Sequence, residues 1–155
     1  NKIYSDIVSE LEAGKNVAML TIGDPSVYST YMYIHNRVMQ AGFTAVMISG
    51  VPSFCAAAAR LGISLGEMMD EIHIIPASYD VRDTVGYGGT CVYMKSGKKL
   101  AELIEVLRTG DAIRKKKMTV YGVTNCGMES ERVYRGLDEL TEAKGYLTIV
   151  IVKYS

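Results

Sequence analysis

Tryptophan is absent, and the apolar set leans on nine methionines instead, which points to a pliable core. Cysteine is scarce: Cys55, Cys91 and Cys126 are an odd, widely spaced set. They have neither metal-ligand spacing nor the even count of a disulfide framework, and they read as reduced thiols of a cytoplasmic protein. Net charge is missing too, since 17 basic residues balance 17 acidic ones. Affinity resting on nucleic-acid phosphates or anionic lipid is therefore not expected. No apolar run approaches the roughly 18 residues that a membrane-spanning helix needs. The opening Asn1-Lys2-Ile3-Tyr4 has no signal or transit pattern and enters helical spacing at once, as an internal starting point would. Also missing are a P-loop, HExxH, a CxxC pair, a GxSxG elbow and a complete GxGxxG. The commonest phosphate-transfer, metalloprotease, serine-hydrolase and dinucleotide-reductase readings go with them.

What is there is a chain with 48% hydrophobic residues, enough to bury a core. Ile3, Ile7, Val8 and Leu11 recur at helical spacing and stop at Gly14, which predicts a helix over 2–13. Asn16–Ile22 (NVAMLTI) and Phe43–Ser49 (FTAVMIS) read as buried parallel strands, with a helix over 26–41 between them. Pro52 opens an alanine-rich helix, Ser53–Leu61, and a third short strand follows at Ile72–Pro76. This βαβα succession predicts an α/β domain with a mainly parallel sheet. Tyr79–Gly89 reads as a linker, which divides the chain into 1–80 and 81–155. The second part is expected to hold strands at 90–95, 117–123, 131–136 and 146–153 and a helix at 98–109. Its last two strands should run antiparallel to a neighbour, giving a mixed sheet.

Three turns invite a ligand. Gly23-Asp24-Pro25 follows the first strand at its carboxyl end, where open α/β sheets bind ligands, and a glycine there lets backbone approach closely. Asp24 could accept hydrogen bonds from a ribose or an ammonium group, or it could cap the next helix. Gly50-Val51-Pro52-Ser53 repeats the arrangement one unit later; taken by itself, close helix–sheet packing explains it better than a ligand does. Asn125-Cys126-Gly127 follows the strand Met118–Val123 as either a third backbone wall or an ordinary turn. Cys126 has no histidine in a dyad context, His35 and His73 read as structural, and Arg114–Lys117 reads as a solvated turn.

The order of these segments resembles the tetrapyrrole (corrin/porphyrin) methylase family. The carrying residues are GDPSVYSTY, SGVPSFCAAAARLGISL, CVYMK and the NCG turn with ERVYRGL, across about residues 15–153. The likeness is nearest to the branch methylating ring carbon 20 of precorrin-2 or cobalt-factor II. It implies two α/β domains with S-adenosyl-L-methionine in a cleft between them and S-adenosylhomocysteine as product. By the same resemblance, Gly23, Asp24, Val27, Pro52, Ser53, Met94, Asn125 and Cys126 contact the cofactor. Pro52 stands where the family has a hydroxyl residue, so only backbone and shape could serve there. The resemblance also implies a homodimer and a tetrapyrrole substrate, with no metal, nucleic acid or membrane partner. Family members begin with a strand and a GxGPGDP loop that precede these motifs, so the first sheet is expected to lack its leading strand or strands. No residue is identified as the base that removes the ring proton; Asp24 is the one candidate. Other methylases of this fold (uroporphyrinogen, other precorrin, diphthine or ribosomal-RNA ribose type) and a non-catalytic nucleotide-binding module are the competing readings.

Overall fold

A computed structural model describes residues 2–113 and 117–154. Two compact units emerge, Asn1–Pro52 and Ser53–Ser155.

In the first unit, helix α1 (Lys2–Glu12) contacts helix α2 (Tyr31–Gln40). The Arg37 guanidinium lies over the Tyr4 ring, 3.8 Å from its centroid, a cation–π contact between the two helices. α2 begins at Tyr31 rather than near residue 26 for a local reason. The Asp24 carboxylate takes the Ser26 backbone N–H at 2.8 Å, and Tyr28 sits at a left-handed φ of 49°, which no α-helix accommodates. Helical geometry becomes available only after Ser29, whose Oγ accepts the Tyr31 N–H at 3.2 Å.

The expected strands at 16–22 and 43–49 are not formed; both segments run without ladder pairing. A buried parallel strand needs hydrogen-bonding partners and cover on both faces. These segments instead expose Leu20 (91%), Ile22 (80%), Val46 (76%) and Ile48 (84%). Together with α1 and α2 they wall a cavity of about 550 Å³, into which Leu11, Ile34 and Val38 also face.

The second unit is built on one mixed five-stranded sheet. Its strands are β1 (Ile72–Pro76), β2 (Thr90–Met94), β3 (Met118–Thr124), β4 (Arg132–Arg135) and β5 (Thr148–Tyr154), in the order β1-β2-β5-β3-β4. β1 and β2 are parallel and every other pair is antiparallel, as expected for the late strands. The expected linker, residues 79–89, is the crossover from β1 to β2 and holds a 3₁₀ helix, Arg82–Gly86. The expected boundary at 80/81 thus falls inside this unit, between two hydrogen-bonded strands. A further 3₁₀ turn, Gly97–Lys99, leads into helix α4 (Leu100–Ile113), and a single-turn helix α5 (Leu137–Leu140) follows β4.

Burial follows the two periods. Leu100, Leu103, Ile104 and Leu107, at i, i+3, i+4 and i+7, put one stripe of α4 into a core with Cys91, Tyr93, Val150 and Val152. Val92, Val123, Ile149 and Ile151 are equally buried and alternate to the other face of the sheet. Helix α3 (Ser53–Leu61) packs on β3 and β5 through Phe54, Ala57, Ala58 and Leu61, residues outside the α4 core. Gly122 has no room for a side chain, since a Cβ there would lie 2.5 Å from the Leu140 Cδ1. The basic run is only partly visible: Lys117 is exposed, and Arg114–Lys116 lie outside the described residues.

Candidate functional site: glycine turns and strand ends

In the first unit, Asp24 is buried, with 8% of its surface exposed, and both carboxylate oxygens are occupied. Oδ1 accepts the Ser26 N–H at 2.8 Å and the Ser26 hydroxyl at 2.5 Å. Oδ2 accepts the Ser49 hydroxyl at 2.7 Å and the Gly50 N–H at 2.9 Å. A carboxylate has about four acceptor sites, so local donors saturate this one. Those donors, the Ser26 hydroxyl first, then the Ser26 amide, Ser49 and Gly50, hold the Asp24 carboxyl well below the usual carboxylate range against the opposing effect of burial. A carboxylate so saturated and so acidic is a poor proton acceptor near neutrality. Of the two tasks open to Asp24 in the sequence, the geometry displays a local tie. It fixes the turn at Gly23 (φ 85°) to the turn at Gly50, which lies twenty-six residues after Asp24.

At Gly50 the two turns lie directly against each other. A Cβ on it would stand 2.3 Å from the Gly23 carbonyl oxygen, far inside any real contact. The requirement for glycine there is one backbone passing over another. Val27 is half-buried and donates its N–H to the Asp24 carbonyl at 3.2 Å, closing the turn. Pro52 ends the first unit, and Ser53 opens α3 in the second.

In the second unit the remaining candidates gather at one end of the sheet. β2 and β3 are both antiparallel to β5, so they point the same way, and Tyr93 and Gly122 face the same β5 residue, Val150. Met94 and Asn125 therefore emerge at the same, carboxyl, edge, joined there by Ala77, whose N–H donates to the Met94 carbonyl at 2.7 Å. Met94 is buried, and Asn125 and Cys126 are half-buried. Asn125 is left-handed at φ 52°, and Gly127 follows at φ 78°. The turn is braced by Asn125 N–H to the Leu147 carbonyl, Asn125 Nδ2 to Ser130 Oγ and Met128 N–H to the Asn125 carbonyl, each at 2.9 Å.

Glu131, which the sequence reading passed over, completes the brace. Its Oε2 accepts the Gly127 N–H at 2.7 Å, and its Oε1 accepts Arg60 Nε from the last turn of α3. Burial, then the neighbouring Glu131 charge and hydrogen bond, push the Cys126 thiol up, so it is a protonated, weakly nucleophilic group. Ser49 and Ser26 were passed over as well, although Asp-x-Ser in GDPS is the pattern of an Asx turn. The two histidines have local partners: His35 Nδ1 lies 3.1 Å from the Tyr31 hydroxyl, and His73 rests against the Tyr87 ring with centroids 4.7 Å apart. Among the described residues, no group of three or more His, Cys, Asp or Glu could hold a metal ion, and no helix is long and apolar enough to cross a membrane.

Comparison with known proteins bears on what these turns serve. The family model described as Tetrapyrrole (Corrin/Porphyrin) Methylases matches residues 1–141. A probable cobalt-precorrin-2 C(20)-methyltransferase of Methanocaldococcus jannaschii is 32% identical over 146 residues, covering 92% of this chain and 61% of that protein. The chain thus spans about three fifths of the length of that relative. Among solved structures, a cobalt precorrin-4 methyltransferase superposes with a TM-score of 0.82 at 17% identity, over 97% of this chain and 69% of that one. The uroporphyrin-III C-methyltransferase of Thermus thermophilus, complexed with S-adenyl homocysteine, gives 0.76 at 17% identity, over 98% and 72%. These two likenesses concern the fold; with the match along most of the sequence, they place the chain in the tetrapyrrole (corrin/porphyrin) methylase family.

Proposed function

We propose that this chain carries cofactor-binding elements of an S-adenosyl-L-methionine-dependent methyltransferase acting on carbon 20 of precorrin-2 or its cobalt complex, in cobalamin biosynthesis. The observation that supports this most is the 32% identity to the cobalt-precorrin-2 C(20)-methyltransferase relative, over 92% of this chain. Gly23, Val27 and Pro52 in the first unit, and Ser53, Met94, Asn125 and Cys126 in the second, are the proposed cofactor contacts. The fit is one of backbone and small groups. Gly23 offers an approach without a side chain, Pro52 can offer only its carbonyl and shape, and the Asn125–Gly127 turn presents backbone at a strand end. Asp24 takes part by holding Gly23 to Gly50, its own oxygens being occupied.

When bound, the sulfonium supplies a methyl group already activated for transfer. The residues of this chain would then have to orient the donor and exclude water rather than form a covalent intermediate. Asp24 is unsuited to remove the ring proton, for the reason given by its hydrogen bonds, so that proton leaves to water or to another group. Neither a metal cofactor nor a nucleic-acid or membrane partner is part of the reading. A cytoplasmic location and a homodimer are.

Calorimetric titration of the chain with S-adenosylhomocysteine tests it. Saturable heat is expected, absent with NADH and lost in Gly23→Val. A chain that gives no saturable heat with S-adenosylhomocysteine, or equal heat with NADH, contradicts the proposal.

A further inference from the structure

Asn125 and Gly127 are both left-handed within three residues, and one of them is not glycine. Beside the backbone bonds and the Asn125–Ser130 contact, one carboxylate, that of Glu131, reaches the Asn125–Gly127 turn from outside it. That carboxylate is only 16% exposed and gathers the Gly127 amide at 2.7 Å, the Arg60 guanidinium and the Cys126 thiol. Its two oxygens divide the work: one faces the turn and the other faces α3. Arg60 lies in the last turn of the helix whose first residue is Ser53, 71 positions before Glu131 in sequence. One rigid element of nine residues thus has a candidate cofactor residue at its start and the partner of Glu131 near its end.

The Arg60 side chain is itself 56% exposed. An ion pair so open to water adds little to stability, so the pair is poorly explained as a device for holding the unit together. What it does fix is the direction of the Glu131 carboxylate, whose Oε1 accepts the Arg60 Nε–H on the α3 side while Oε2 stays on the Gly127 amide. Accordingly, Glu131 is held below its usual range, first by the Gly127 amide and then by Arg60, and stays ionised and aimed at the turn.

We propose that Arg60 and Glu131 are a positioning pair for the cofactor: Arg60 aims the Glu131 carboxylate, which sets the Asn125–Gly127 turn in the conformation that receives the S-adenosyl group. This rests on the cofactor reading above and adds to it two residues that touch the turn rather than the ligand.

The test is the affinity for S-adenosylhomocysteine of the wild type, Glu131→Ala, Glu131→Gln, Arg60→Ala and Arg60→Lys, with the thermal midpoint of each. Arg108→Ala is the control, because it breaks a different surface pair, to Asp138. Glu131→Ala is expected to bind about tenfold or more weakly, the loss of one charge-assisted contact. Glu131→Gln keeps an acceptor for Gly127 and should recover much of that loss. Arg60→Ala should bind more weakly than the wild type, Arg60→Lys should recover part of that loss by keeping the charge, and Arg108→Ala should bind like the wild type. If Glu131→Ala does not fold, Glu131→Gln and the two Arg60 variants carry the comparison. A wild type that binds, with Glu131 and Arg60 variants within twofold of it, overturns the positioning pair and leaves the cofactor reading intact. Binding losses that follow the thermal midpoint alone, in Arg108→Ala as in the others, overturn it too. A wild type without affinity overturns the cofactor reading and this inference with it.

Discussion

The Asp24 carboxylate accepts the Gly50 amide at 2.9 Å, and at the same place the Gly23 carbonyl runs so close beneath Gly50 that no side chain fits between them. Two turns far apart in sequence are thereby made into one surface, by one acid and by the absence of one methyl group.

Gly50→Ala is the sharpest probe of that surface. Its Cβ would meet the Gly23 oxygen at 2.3 Å, and the obstacle is backbone, which cannot swing aside as a side chain can. Overpacking of this kind costs about 1–3 kcal/mol. We expect a lower urea midpoint and loss of S-adenosylhomocysteine binding, whereas Gly88→Ala, at a glycine with open space around it and no left-handed φ, should leave both unchanged.

Asp24→Asn gives a pH signature. The folded carboxyl titrates below its unfolded counterpart, so its contribution is complete above the model-peptide value of 3.8 and fades as pH falls through the folded value. An amide in its place would set its own N–H₂ against the Ser26 or Gly50 amide. The urea midpoint of Asp24→Asn should fall below that of the wild type at pH 6–8, and the two should converge in strong acid. Parallel curves at all pH values would show that the tie contributes nothing.

Thiol reactivity should rank by surroundings. Cys55 is exposed, Cys126 is half-buried beside Glu131, and Cys91 is buried in the sheet. Alkylation followed by mass spectrometry at pH 8 is expected to mark Cys55 first, Cys126 slowly, and Cys91 only on unfolding. Rapid labelling of Cys126 would contradict the raised thiol.

Leu20, Ile22, Val46 and Ile48 form an apolar surface on segments with no strand partners. Such surfaces recruit one another. The chain should bind a hydrophobic dye and associate with rising concentration in sedimentation runs, and Val46→Lys with Ile48→Lys should reduce both. A dye-silent species of constant size would count against this.

How much of this was legible beforehand depended on whether the signal was local. The helix SFCAAAARL lies where Pro52 and Gly62 bracket it, and the run in YLTIVIVK became the buried β5, since both rest on short-range pattern. The start of α2 was misplaced because an Asx turn and a left-handed Tyr28 outweigh apolar spacing. The segments 16–22 and 43–49 have strand composition but lack strand partners, and composition cannot supply a partner. Gly23, Asp24 and the Asn125 turn stood out as glycine-bearing turns after apolar runs. Glu131 and Arg60 did not, because their meaning is a contact across 71 positions that no spacing records.

The most direct measurement is a set of backbone amide shifts recorded while S-adenosylhomocysteine is added. The amides of Gly23, Gly50 and Gly127 should move together and saturate with one dissociation constant, while that of Gly42 stays still. Shifts that never saturate, or that spare all three glycines, would contradict the assignment of these turns to the cofactor.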